Sequence, residues 1–278
     1  MKKTSDNIRQ VTSWQYLNCL RLWTKVITCQ PADDELGALG FPLSQVLFGV
    51  MSLAESLYFT PLKFHLTSCA QLLAAHCRSF IPTAAKMIDI LESQDITAKS
   101  VASTDVPPAL NYCVKLPTDS LSRAPVRDLV VQEAIMLIRN DAEIYRYHVG
   151  FPEYAMLTTR KLRIFAKGSK VSKWRDLART AAGQLEQFSA EAKKGRASLG
   201  KTPAEIKDFE PLLPGSVPPA AARLGKLCGG QQRGVHLLST VKTESVGAGK
   251  GAKVKVVAKK KKTAAAKMEV SDDEDEDE

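Results

Sequence analysis

Apolar residues recur at three- and four-residue intervals along most of residues 8–194, interrupted at a few prolines, glycines and acidic pairs. That spacing puts them on one face of a helix. Residues 8–28 are predicted to be helical, with Ile8, Val11, Leu17, Leu20, Trp23 and Ile27 on a broad apolar face. A break follows at 30–37, where Asp33 and Asp34 can cap. A second helix is expected from about Pro42 to Leu57, burying Leu43, Val46, Leu47, Val50, Leu53, Ala54 and Leu57. A third starts at Pro61 with Leu62, Leu66, Cys69, Ala70, Leu73 and Cys77 inward. A fourth starts at Pro82 with Ala85, Ile88 and Leu91 inward.

Proline suits the first turn of a helix, where its missing N–H has no partner to lose. Pro42, Pro61 and Pro82 are 19 and 21 residues apart, one helix and one tight turn each time. A helix pair then takes roughly forty residues, the length of HEAT and armadillo units. The expected fold class is therefore all-α, a solenoid of stacked helical hairpins over residues 1–210. A loop at about 93–118, marked by Pro107–Pro108, interrupts it. Helix is expected again from Leu121 or Pro125 to about Tyr147, then with Tyr154, Leu157, Leu162 and Phe165 inward. The last long helix runs from about Val171 to Lys194 and buries Trp174, Leu177, Ala181, Leu185 and Phe188. A short turn is expected at 201–211, with Thr202 capping ahead of Pro203.

Residues 211–278 change character: Pro/Gly-rich, then lysine-rich, then acidic. Such composition buries too little apolar surface to offset the entropy of ordering, so a disordered tail is expected. Lys259, Lys260, Lys261 and Lys262 form a candidate import signal. Ser271, ahead of a run of acids, is a candidate phosphorylation site.

The 278 residues are 44% hydrophobic but only 6% aromatic, enough for a sizeable, mostly aliphatic core. The formal net charge of +9 points to an acidic partner if it is clustered. In the tail the charges of 250–267 and 269–278 cancel. The excess sits between Arg160 and Lys201, where twelve basic residues face only Asp176, Glu186 and Glu191. Arg160, Lys161, Arg163, Lys167, Lys170, Lys173, Arg175 and Arg179 are the candidate RNA-binding residues. They would neutralise phosphates with little regard to base sequence. A solvated helix face is the plainer explanation of the same charge.

No catalytic spacing emerges. HExxH, GxSxG and GxGxxG are missing from the sequence, and His148 and Cys113 show no triad partners; GRASLGKT at 195–202 matches GxxxxGK[ST] by spacing, but it follows the helix expected at 171–194 and not the strand that a phosphate loop requires. His65 and Cys69 are one turn apart and could share a metal, but Cys69 and His76 lie too far apart along a helix for one tetrahedral ion. No metal, cofactor or small-molecule substrate is expected. Six cysteines without a CxxC pair, and an N-terminus without an apolar leader core, suggest reduced thiols in the nucleus or cytosol. Residues 36–54 carry no charge and are long enough to span a bilayer, but Pro42, Ser44, Gln45 and three glycines favour a buried helix, so no membrane is expected.

Four stretches come in a fixed order: "WQYLNCLRLWTKVI" (14–27), "FPLSQVLFGVMSL" (41–53), "YFTPLKFHL" (58–66) and "FIPTAAKMIDIL" (80–91). With residues 131–187 they resemble the nucleolar complex protein 2 family of large-subunit ribosome assembly factors. The matching positions are Tyr58, Pro61, Leu62, Lys63, Phe64, His65, Phe80, Ile81 and Pro82, expected to pack. The resemblance implies a HEAT-like helical array and a non-enzymatic role in the nucleolus and nucleoplasm. As partners it implies nucleolar complex proteins 1 and 3, pre-60S particles and precursor rRNA. Family members are usually much longer, so the first helix is expected to expose a face that packs on a neighbour in them. The region after Pro211 also departs from the family's usual ending. A helical adaptor with protein partners alone is the competing expectation.

Overall fold

Four helices begin with a proline in their first turn, where an N–H would have had no helical partner anyway. They are α3 (Gly40–Leu53) with Pro42, α4 (Thr60–Cys77) with Pro61, α7 (Ala124–Tyr145) with Pro125 and α8 (Phe151–Gly168) with Pro152. The structure is a computed structural model and describes residues 5–29, 35–98 and 100–199. The other helices among the described residues are α1 (Ser5–Val11), α2 (Trp14–Cys29), α5 (Ala84–Glu92), α6 (Gln94–Thr97) and α9 (Ser172–Leu199). No strand is present among those residues; a single bridge joins Val101 to Arg123.

α4 is the hub. It packs on α2 and α3 at one side and on α7 at the other. Its buried set goes almost all round, from Leu62, Phe64, Leu66 and Thr67 to Cys69, Leu72 and Leu73. A helix enclosed by neighbours has no polar face to keep. α7 carries the fold onward to α5 and α9, and α8 packs on α5 and α9.

Several expectations are corrected. The predicted helix at 8–28 is two helices. Thr12 turns its hydroxyl back onto the Ile8 carbonyl, and Ser13 accepts from the Tyr16 amide, so the chain stops and restarts. α3 ends at Leu53, and Leu57 lies in a separate 3-10 turn, Leu57–Phe59. Val46 is exposed, and Ser44 and Met51 take inward places instead. Pro82 lies outside α5, which starts at Ala84; Ala85 faces solvent while Ala84, Met87, Ile88 and Leu91 pack. In α8 Leu157 is 63% exposed and Thr158 is buried in its stead. Part of the expected loop after residue 93 is helical as α6, and the rest is fastened to the helices. Ile96, Leu110, Val114 and Leu116 are buried, and the Leu116 amide donates to the Tyr58 carbonyl at 2.7 Å. Buried Arg127 closes this loop by donating to the Leu121 and Ala98 carbonyls.

Glu35–Leu53 is long and apolar enough to cross a membrane by length and composition. It consists of a 3-10 turn, Glu35–Leu39, and α3, whose Leu47, Val50 and Met51 are buried while Phe41 is 74% exposed. Phe41 and Val46 on α3, with Trp14, Leu22 and Trp23 on α2, leave apolar side chains exposed on these first helices. At the start of α3, a Cβ on Gly40 would sit 2.9 Å from Cys77 Sγ at the end of α4, so a side chain there would force Cys77 to move. α4 stops at Arg78, whose φ of 49° is the left-handed turn that usually belongs to glycine.

Candidate nucleic-acid interface

α8 and α9 form a hairpin pinned along its length. Near the turn, Phe165 stacks on Trp174 with centroids 6.4 Å apart. At the open end, Arg196 of α9 forms a two-pronged ion pair with Glu153 of α8 and also donates to the Val149 carbonyl. Arg196 holds the Glu153 carboxyl below its ordinary range. Between these points Arg146 of the preceding turn reaches Glu191 at 3.0 Å and lies over the Phe188 ring.

A groove of about 570 Å³ runs between the two helices on their outer side. Arg160, Arg163 and Lys167 are three and four residues apart on α8, so they share one edge of it. Lys193 of α9 stands on the opposite edge. Glu186 is the one carboxylate among the lining residues, and it pairs with Arg163 at 2.5 Å. Pro152, Ala155, Met156, Thr159, Ile164 and Ser189 complete the lining; no aromatic ring contributes, so the groove offers charge and hydroxyls but no stacking surface.

The structure separates the eight candidate RNA-binding residues. Arg160, Arg163 and Lys167 line the groove. Lys161 turns to the other side of α8 and pairs with Glu92 of α5 at 2.8 Å. Lys173 pairs with Asp128 of α7, which also accepts from the Trp174 indole. Lys170, Arg175 and Arg179 belong to the turn and the first half of α9, away from the groove. Lys193, which the eight did not include, was visible only as one more charge in a basic stretch; its place opposite Arg160 depends on how the hairpin closes. Lys259, Lys260, Lys261, Lys262 and Ser271 lie outside the described residues, as does the short turn expected at 201–211.

The family-motif positions serve the core. Pro61, Leu62, Phe64, His65 and Ile81 are buried, Tyr58 and Lys63 half-buried, and Pro82 exposed. Phe80 keeps 43% of its surface exposed while its ring meets Tyr145 at 5.2 Å and Tyr154 at 5.6 Å. His65 accepts from Arg21 of α2 at Nδ1 and donates from Nε2 to the Cys113 carbonyl at 3.2 Å. Burial, with the positive Arg21 beside it, pushes the ring down to about 4, so it is neutral. Both nitrogens are taken, and no group of three His, Cys, Asp or Glu residues is placed to hold a metal among the described residues.

Sequence reasoning missed what fastens the turn between α4 and α5. The Tyr145 hydroxyl of α7 accepts from the Ile81 amide at 2.8 Å and donates to the Ile81 carbonyl at 3.1 Å. Asp141, fully buried one turn earlier, accepts from the Thr83 and Tyr154 hydroxyls. Thr83 in turn accepts from Gln71 at 3.1 Å. Burial pushes the Asp141 carboxyl up to about 6, against the pull of these donors. Four helices, α4, α5, α7 and α8, thus meet on one buried polar cluster.

Comparison with known proteins places this helical array. The family model described as "Noc2p family" matches residues 1–228. Over 204 residues the chain is 24% identical to a nucleolar complex-associated protein 2 of Arabidopsis thaliana. It is 28% identical over 195 residues to an uncharacterised NOC2 family protein of Schizosaccharomyces pombe, and 23% identical over 210 residues to nucleolar complex protein 2 of Drosophila melanogaster. These alignments cover 73%, 67% and 75% of this chain but only 27% of each relative's own length. With most of its residues matched by the family model, the chain belongs to the Noc2p family.

Proposed function

We propose that the chain acts as a helical scaffold in the maturation and intranuclear transport of large ribosomal subunit precursors, without catalysing a reaction. The observation that carries this reading is the convergence of Arg160, Arg163, Lys167 and Lys193 on one groove with a single carboxylate. Three cations of α8 one turn apart fit consecutive phosphates of an RNA backbone. Without aromatic rings, recognition is by charge and shape and is largely indifferent to base sequence. Family membership and relatives named as nucleolar complex proteins support a nucleolar role; within this proposal the chain works in nucleolus and nucleoplasm on pre-60S particles, with nucleolar complex proteins 1 and 3 as partners. The antiparallel α8/α9 hairpin and the packing of α3 on α2 and α4 support a HEAT-like stack.

A second reading is an adaptor that binds protein alone. Lys161, Arg163 and Lys173 already pair with carboxylates, so part of the basic stretch serves the fold. Equilibrium binding of a structured rRNA fragment across a salt series separates the two. Phosphate contact gives a log–log slope of several units. A slope near zero, or no binding at low salt, favours the adaptor.

A further inference from the structure

A second groove, of about 950 Å³, follows the other flank of α8, between it and α5. Its floor is apolar: Phe80, Leu157 and Ile164 contribute, and all three are substantially exposed. Its two rims differ in charge: Lys161 of α8 and Glu92 of α5 pair with each other across it, which leaves Asp89 on the α5 rim and Arg160 on the α8 rim to meet an incoming segment. One end lies at Gly150, next to Val149, whose carbonyl holds Arg196 close to the end of α9. The last turn of α9 therefore lies close to this end of the groove.

The residues that come next are "KTPAEIKDFEPLLP", 201–214. Thr202 and Glu205 have the spacing of a capping box, and Pro203 suits the first helical position. Ile206 and Phe209 share a helix face; Glu205 and Asp208 flank it on one side and Lys207 on the other. Pro211 ends such a helix, and Leu212 and Leu213 follow. Eight helical residues measure about 12 Å. Three extended ones add about 10 Å. From Gly150 to Ile164 α8 rises about 21 Å, so the lengths agree. The family match extends to residue 228 and includes this segment.

We propose that residues 203–213 dock in the α5/α8 groove of their own chain. Ile206 and Phe209 cover Phe80, Leu157 and Ile164; Glu205 and Asp208 meet Arg160, and Lys207 meets Asp89. The apolar floor and the charges of the rims suit this segment, and the position of the end of α9 selects it over a foreign helix.

The test uses the full-length chain free of RNA, with a benzophenone-bearing amino acid replacing Phe209. Irradiation is expected to yield cross-links to peptides of α5 and α8 within the monomer, at a yield independent of protein concentration. Arg160→Glu should lower that yield several-fold, and Arg160→Glu combined with Glu205→Arg should restore it. Cross-links elsewhere, none at all, or links only between two copies would overturn the proposal. Because no RNA is present, the outcome is independent of whether the α8/α9 groove binds it.

Discussion

The guanidinium of Arg21 donates to Nδ1 of His65 at 2.7 Å and so fixes which imidazole nitrogen carries the proton, leaving Nε2 to donate to the Cys113 carbonyl. One neutral ring ties α2, α4 and the loop before α7 together. Because burial and Arg21 lower its folded value to about 4, the unfolded chain binds the proton more readily between about 6.5 and 4. Stability from this site is present above about 6.5 and is lost as pH falls towards 4, by on the order of 3 kcal/mol. Urea unfolding at a series of pH values checks this. His65→Gln should lose less stability than the parent as pH falls through that window; parallel curves would refute the assignment.

Asp141 works in the opposite sense. Its folded value is raised to about 6, so its contribution is present at about pH 4 and is lost as pH rises through 6. Asp141→Asn should therefore gain stability relative to the parent between pH 4 and pH 7. Asp141→Ala leaves the Thr83 and Tyr154 hydroxyls without their acceptor and should cost about 3 kcal/mol at either pH. Chemical denaturation of both variants reads these outcomes.

At the meeting of α3 and α4, Gly40→Ala puts a methyl group against Cys77 Sγ and should destabilise by about 1–3 kcal/mol. Adding Cys77→Ala removes the obstructing atom and should recover most of the loss. A double-mutant cycle without coupling would show that the contact is not the cause.

Arg78 is exposed and holds a left-handed backbone at the end of α4. Arg78→Gly relieves the side-chain clash of that conformation and should stabilise the chain by about 1 kcal/mol. A thermal melt of the variant, expected to move upward, checks this.

For the α8/α9 groove, Lys167→Ala and Lys193→Ala together remove two lining cations that have no ion pair among the described residues. The log–log salt slope of RNA binding should flatten by about 1.4 to 1.8. Lys161→Ala, on the Glu92 side of α8, should leave the slope unchanged. Equal effects from both variants would remove the groove from consideration.

Helix starts were legible where proline reports directly on the backbone: Pro61 announced α4, and Pro125, one of the two starts left open, opens α7, whereas Pro152 was not singled out although it opens α8. Inward faces were less so. Leu157 was expected inside and Thr158 was not, because apolarity alone cannot show that the Tyr154 hydroxyl reaches Asp141 and turns α8 accordingly. The buried polar cluster was invisible, since Thr83 and Asp141 are 58 residues apart and each alone passes for a surface residue. Charge was legible as a total. Which cations are free was not, because Glu92, Glu186 and Asp128 approach only after the helices pack.

The turn carrying Ile81 takes its hydrogen bonds from a tyrosine 64 residues further along the chain. During synthesis, then, α4 and α5 leave the ribosome well before their anchor does. Loop closure over such a span is slow compared with helix formation, and Leu72, Leu73 and Met87, buried in the finished fold, are open to solvent meanwhile. A nascent chain paused before residue 145 therefore lacks the hydrogen bonds that hold the Ile81 turn, for a time set by the rate of translation.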